Sequence, residues 1–494
     1  MLLGIDLGTG SVKALLLTPE GAVLAAASAP YEVAAPRPGW AETGAEAWWQ
    51  ATVTAVRAAL AAAPPARSVA AVGLSGQMHG VVLADAAGVP LRPAVLWADA
   101  RAAPLLEPYR ELLGGLCAAL ENPVAAGMAG PTLLWLRRYE PRLLARARWA
   151  LQPKDWLRLR LTGEAAAEPS DASGTLLYAL REDAWLIAAA ERLGLNPALL
   201  PPLVPSSAPA GTLRPEAAAA LGLPAGVRVV AGGADTACAA LGSGLVRAGE
   251  AQLTVGTGAQ LLVVEQEAAG RAARGVHLFR TVLAPPHAPF YALGAVQNAG
   301  LALEWARRAL GVSWERLVAL AFAAPPGSGG VSFAPYLSGE RTPHLDASVR
   351  GGWVGLSLHS APEHLARAAF EGVAFALRDA LVALELPPET PLKLAGGGAA
   401  QPAWRQLLAD TLRRPLIPSA VPAASARGAA LLAGLGVGLY EDVSALPPPG
   451  PAGEVVTPAP PDARLEAAYA RFRALYPRLR GWPPADETVL KETR

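Results

Sequence analysis

Residues 1–17 read MLLGIDLGTGSVKALLL, and residues 250–265 read EAQLTVGTGAQLLVVE. Each stretch is an apolar run, a GTG triplet and a second apolar run. The triplets are Gly8-Thr9-Gly10 and Gly256-Thr257-Gly258. Their separation exceeds the about 100–150 residues of a common domain. Alone, either triplet is ordinary hairpin chemistry. Glycine in a tight turn permits positive φ and leaves backbone N–H groups uncovered. Several such groups pointing one way make a concave anion site. Two hairpins on facing lobes can therefore hold a polyphosphate between them.

Working outward, residues 2–5 and 12–17 read as strands around the first turn, and Val23 to Ala27 as a third. The pattern predicts a helix around 44–62 and strands at 69–74 and 227–233. It predicts a second hairpin at 251–264, then helices at 297–311, 363–384, 402–413 and 425–436, with a strand at 392–398. Phe370, Val373 and Leu377 share one face at helical spacing and read as core. Residues 446–462 are Pro-rich, and a last amphipathic helix spans about 462–479. The expected units are 1–244, 245–445 and a tail of 446–494, with a hinge near 240–250.

Composition narrows the function. The 494 residues carry a formal net charge of +1, with 42 Lys and Arg against 41 Asp and Glu. No basic stripe exists to suit a nucleic acid or a membrane surface. The two cysteines, Cys117 and Cys238, form no CxxC, so a reducing cytoplasm is the expected setting. Gly, Pro or a charge interrupts every apolar run short of membrane-spanning length.

GxxxxGK[ST] does not occur, and GTGSVK lacks the third glycine of GxGxxG and runs into a strand rather than a helix. Two hairpins together with Gly396-Gly397-Gly398-Ala399 resemble the actin, hexokinase and sugar-kinase superfamily. The resemblance implies an α/β fold of two ribonuclease-H-like domains around a central ATP cleft. Asp6 ends a strand just before the first turn, which suits a Mg²⁺ carboxylate. Asp235 follows a buried strand and opens a helix. A carboxylate there could take the proton of an alcohol as its oxygen attacks a γ-phosphate.

Further stretches resemble the FGGY carbohydrate kinases. These are Gly351, Trp353 and Gly355-Leu356 followed by HLARAAFEG (364–372). GQMHG (76–80), VLWADAR (95–101), PKDWLRLRLTGE (153–164), SDASGT (170–175) and YLSGERTPH (336–344) look like the xylulokinase branch. The resemblance covers residue 1 to about 436. It implies ATP- and Mg²⁺-dependent transfer to the terminal hydroxyl of D-xylulose, with Asp235 as proton acceptor and Asp6 near the metal. It places Gln77, Met78, His79 and Thr236 at the sugar. Gly8, Thr9, Gly10, Ser11 and Lys13, with Gly256, Thr257 and Gly258, fall near the phosphates, and Gly396 to Ala399 near adenosine. Trp40 is a candidate wall of the sugar pocket, and Arg341 a candidate cleft residue or salt-bridge partner.

The family's GGGDN reads AGGADTA at 231–237, and its WND reads Trp97-Ala98-Asp99. Both departures bear on the sugar more than on the reaction. The rival readings are a sister kinase for another pentulose, polyol or sugar acid, and a non-catalytic nucleotide sensor of the actin kind. Oligomeric state is not legible in the sequence, although homodimers are common in the family it resembles.

Overall fold

A computed structural model describes residues 1–64, 68–419, 421–450 and 453–482. Parts of the expected Pro-rich stretch (451–452) and tail (483–494) lie outside the described residues.

The first hairpin nucleates a mixed sheet. Strands β1 (Leu2–Leu7), β2 (Ser11–Leu17), β3 (Val23–Pro30), β4 (Ala71–Gly76) and β5 (Arg228–Val230) lie in the order β3-β2-β1-β4-β5. The first three pair antiparallel, whereas β1 with β4 and β4 with β5 are parallel. Every residue of β1 is buried, as its continuous apolar run requires of a strand covered on both faces. Helix α1 (Ala45–Ala62) covers one face with Trp48, Thr52, Ala55, Val56 and Ala59, spaced three and four apart. Helix α2 (Pro153–Thr162) starts with proline at its first turn, and α3 (Asp235–Gly242) leaves the end of the sheet.

The second hairpin repeats the plan. Strands β6 (Ala251–Val255), β7 (Ala259–Glu265), β8 (Phe290–Val296), β9 (Leu392–Ala395) and β10 (Leu416–Pro418) run in the order β8-β7-β6-β9-β10. Their pairing senses match those of the first sheet strand for strand. The duplication seen in two short triplets is therefore a duplication of topology. Helix α4 (Gly300–Ala309) follows β8, and α5 (Pro362–Ala383) buries Phe370, Val373 and Leu377 in this lobe's core. The strand expected at 392–398 stops at Ala395, and Gly397–Ala399 turn as a short 3₁₀ helix.

One assignment changes. Residues 424–445 were expected with the second lobe, yet α6 (Ala424–Gly436) packs on β1, β4 and α3 of the first. Its sequence, ASARGAALLAGLG, is almost all small residues. A Cβ on Gly4 would overlap the Ala426 carbonyl, and one on Gly73 the Ala429 carbonyl. Gly428 meets the Cys238 carbonyl of α3 in the same way. Backbone-to-backbone approach on this scale admits no larger side chain. The chain thus crosses between lobes three times: near 243–250, again before α6, and once more after it, since Val456 bridges to Leu416 and the helix Ala463–Arg473 packs in the second lobe's core.

Candidate active site

Both hairpin loops are built to leave amides free. In the first, Leu7 pairs with Val12, and Gly8 N–H donates to Ser11 O at 3.1 Å. In the second, Val255 pairs with Ala259, and Gly256 N–H donates to Gly258 O at 2.8 Å. The amides of Thr9, Gly10, Thr257 and Gly258 find no protein acceptor among the described residues. The glycines do not serve as expected: none of the four adopts positive φ. Their uses differ: a Cβ on Gly10 would meet nothing within 4 Å, whereas one on Gly258 would meet the Val296 carbonyl at 2.9 Å.

Two aromatic residues to which the sequence reading gave no role at the first loop hold it. Tyr31, at the end of β3, donates its hydroxyl to Gly8 O and its N–H to Gly10 O. Trp97 donates its indole N–H to Thr9 Oγ1 at 2.9 Å while 44% exposed, an unusual posture for tryptophan. Gln77 was expected at the sugar. It is instead 1% exposed, and its amide donates to Gly8 O and Tyr31 Oη at 3.3 Å. Gln77 therefore braces the loop from beneath. Lys13 is exposed and stands directly across β1–β2 from Asp6.

The carboxylates converge by sheet geometry. Asp6 and Gly233 both stand opposite Ser75, so Asp6 and Asp235 leave strand ends two strand-spacings apart, about 10 Å. Asp6 is buried and accepts from Ser75 Oγ at 3.0 Å. Burial raises its carboxyl above the usual range, with the Ser75 bond and Lys13 opposing. Burial pushes Asp235 up to about 7, and the Asp6 charge adds to the rise. Thr236 opposes it through its N–H at 2.6 Å and hydroxyl at 3.1 Å, both on Asp235 Oδ1. Thr236, expected at the sugar, thus spends its hydroxyl on the carboxylate. Oδ2 of each aspartate has no protein donor among the described residues.

A cleft of about 900 Å³ has Asp235 and Thr236 at one end. Gly396, Gly397 and Ala399 lie along its length, with Gln260 and Arg405 from the second lobe. Gly396 has φ of 91°, and a Cβ there would collide with the Val255 carbonyl at the base of the second hairpin. The GGGA turn is thereby pressed against that hairpin.

Met78 and His79 are not among the residues that line this cleft; they pack against Tyr291 and Phe279 of the second lobe. His79 has φ of 72°, a left-handed conformation rare outside glycine. Its Nδ1–H donates to Gly174 O at 2.6 Å, which leaves Nε2 an acceptor. Burial lowers it to about 4, so it stays neutral. Met78 Sδ accepts from Tyr291 Oη at 3.8 Å, and the Asp235 charge is felt at that tyrosine. Arg341 forms no salt bridge among the described residues; it donates to His277 Nε2 at 3.3 Å. The guanidinium carbons of Arg37 and Arg101 lie 4.8 and 3.6 Å from the Trp40 ring centroid, a cation–π arrangement.

Residues 1–242 match the N-terminal domain of the FGGY family of carbohydrate kinases, and residues 251–437 its C-terminal domain. The chain belongs to this family. It is 37% identical to the xylulose kinase of Escherichia coli (strain K12), over 97% of this chain and 99% of that one. It is 37% identical to the xylulose kinase of Klebsiella pneumoniae, over 97% and 98%. Among solved structures it is similar to a xyloylose kinase from Brucella ovis, at TM-score 0.89 and 35% identity, covering 98% of this chain and all of that one. As an FGGY kinase the chain is a phosphotransferase that uses ATP and a sugar, in the two-lobed α/β fold of that family. Among the described residues, no helix is long and apolar enough to cross a membrane.

Proposed function

We propose that this kinase transfers the γ-phosphoryl group of ATP to the terminal hydroxyl of D-xylulose, giving D-xylulose 5-phosphate and ADP. The observation that carries the reaction is the single cleft with Asp235 at one end and the GGGA turn along its wall. The names borne by the relatives at 37% identity support the ketose.

Asp235 accepts the proton of the hydroxyl as that oxygen attacks phosphorus and the bond to ADP breaks. A carboxyl poised near 7 is divided evenly between acid and base at neutral pH, the balance a general base needs. Gly8 to Ser11 and Gly256 to Gly258 offer their free amides to the phosphates, with Lys13 beside the first loop. Gly396 to Ala399 flank adenosine. His79 presents neutral Nε2 to a sugar hydroxyl, Met78 supplies a polarizable wall, and Gln77 keeps the first loop in place.

Mg²⁺ suits the donors present: two carboxylates with open oxygens, Asp6 and Asp235, beside a phosphate site. No cluster of three or more His, Cys, Asp or Glu exists among the described residues to form a full protein cage. That fits an ion that keeps waters and phosphate oxygens. Asp6 would hold it, and the bound ion would neutralise charge on the transferring phosphate. The cytoplasm, where ATP is available, is the natural site of action.

The test is ADP release with ATP and Mg²⁺ across a panel of pentuloses, polyols and gluconate. D-xylulose should give the highest kcat/KM, by at least ~10-fold over its epimers. Equal rates with all sugars, or a higher value for glycerol or gluconate, would overturn the assignment.

A further inference from the structure

The stretches PKDWLRLRLTGE and EPSDASGT are rich in charge, yet the structure buries most of their ionisable side chains. Lys154, Asp155, Arg158, Glu168, Ser170 and Asp171 are all 0% exposed. Lys154 Nζ lies 2.7 Å from Asp155, 3.2 Å from Glu168 and 3.1 Å from Asp171, and Arg158 bonds Asp155 at 2.9 Å. Burying so many ionisable groups is costly unless each is paired. Three acids face two bases, and burial holds the Asp171 carboxyl well above its usual range, with Lys154 opposing.

Glu168 is the hub. It accepts from the N–H groups of Ser170 and Asp171 at 2.9 Å. It also accepts from Ser170 Oγ at 2.8 Å and from Ser206 Oγ at 2.7 Å. The Ser170 hydroxyl spends its one proton on Glu168, so its lone pair is free. Into it points the N–H of Ala234, at 2.9 Å. Ala234 is the residue immediately before Asp235. The same segment carries Gly174 O, which fixes the His79 ring. It also carries Ser173 Oγ, which accepts from the Arg280 N–H of the second lobe at 3.0 Å.

We propose that Ser170, oriented by Glu168, is a positioning residue for Asp235, and that the segment 168–174 registers the base, His79 and the second lobe against one another. This rests on the kinase reading above. Ala234 and Asp235 stand at a strand-to-helix transition, where the Ser170 bond fixes the peptide that aims the carboxylate. The buried charges make Glu168 rigid, and rigidity at that point is worth more to the rate than to substrate binding.

Ser206 provides the control. It donates to the same Glu168 oxygen but does not touch Ala234. Ser170→Ala and Ser206→Ala each remove one hydrogen bond from Glu168, and thermal melting reports the stability each loses. The measurement is kcat and both KM values for the two variants beside the wild type, with Tm recorded. Ser170→Ala should lower kcat at least ~10-fold while both KM values stay within ~3-fold, a selective loss of transition-state alignment. Ser206→Ala, which loses its Glu168 bond but leaves the Ala234 N–H paired, should keep kcat within ~2-fold. Should Ser170→Ala not fold, Ser170→Cys preserves the volume with a weaker acceptor, and the same drop in kcat is expected. Equal kcat losses in the Ser170 and Ser206 variants, or an unchanged kcat in the Ser170 variant, would overturn the inference. Wild-type protein inactive on every sugar would instead overturn the kinase reading itself.

Discussion

At the scale of the residue, chemistry is concentrated in Asp235. Its carboxyl is raised by burial first and by the Asp6 charge second, to about 7. A base must be ionised to accept a proton, so kcat/KM should rise through pH 6–8 and level off above. Below pH 6 it should fall about tenfold per unit. His79, held near 4 by burial, adds no second limb in that range. A profile flat from pH 5.5 to 8 would remove Asp235 from the role. His79→Ala should raise the sugar KM by ~5–10-fold, the worth of one hydrogen bond, and leave the ATP KM unchanged. A matching change in the ATP KM would place His79 elsewhere. The sequence disclosed these two residues because each stands in a short, distinctive string. It did not disclose Tyr31, since a lone aromatic says nothing of the loop it will clamp, and VLWADAR drew notice to Trp97 without showing that it bonds Thr9. Gln77 was read toward the sugar with its neighbours in GQMHG; its amide instead bonds Gly8 O and Tyr31 Oη under the loop.

At the scale of the element, glycines divide into those that serve the fold and those that leave space. Gly73→Ala would drive a Cβ into the Ala429 carbonyl of α6. Overpacking of this kind costs ~1–3 kcal/mol or more, read as a lower denaturant midpoint. Gly10→Ala meets no atom within 4 Å. It should leave that midpoint unchanged yet depress kcat/KM for ATP, because the added methyl occupies phosphate space. Equal midpoints for the two variants would contradict this division. The hairpins and the GGGA turn were legible because glycine repeats at strand ends carry geometry. The buried ionic cluster was not, because a charged helix looks alike whether water or other charges surround it. The lobe that α6 joins was equally hidden: small-residue spacing says close packing, not against what.

At the scale of the whole molecule, two sheets share one topology, and each carries a glycine hairpin. The first connection between them runs through 243–250, where Gly244 and Gly249 take positive φ. Lys393 Nζ from the second lobe bonds the carbonyls of Ser243 and Gly244 at 3.0 and 2.8 Å. Asn122 of the first lobe exchanges two hydrogen bonds with the Leu278 backbone of the second. These bonds tie the two lobes together on either side of the connection. The most direct measurement of the central claim compares ATP binding with phosphoryl transfer to D-xylulose in wild type and Asp235→Asn. Transfer should fall by at least ~10²-fold, with the ATP Kd within ~3-fold of wild type. Transfer persisting within ~10-fold of wild type, with ATP binding intact, would contradict the account.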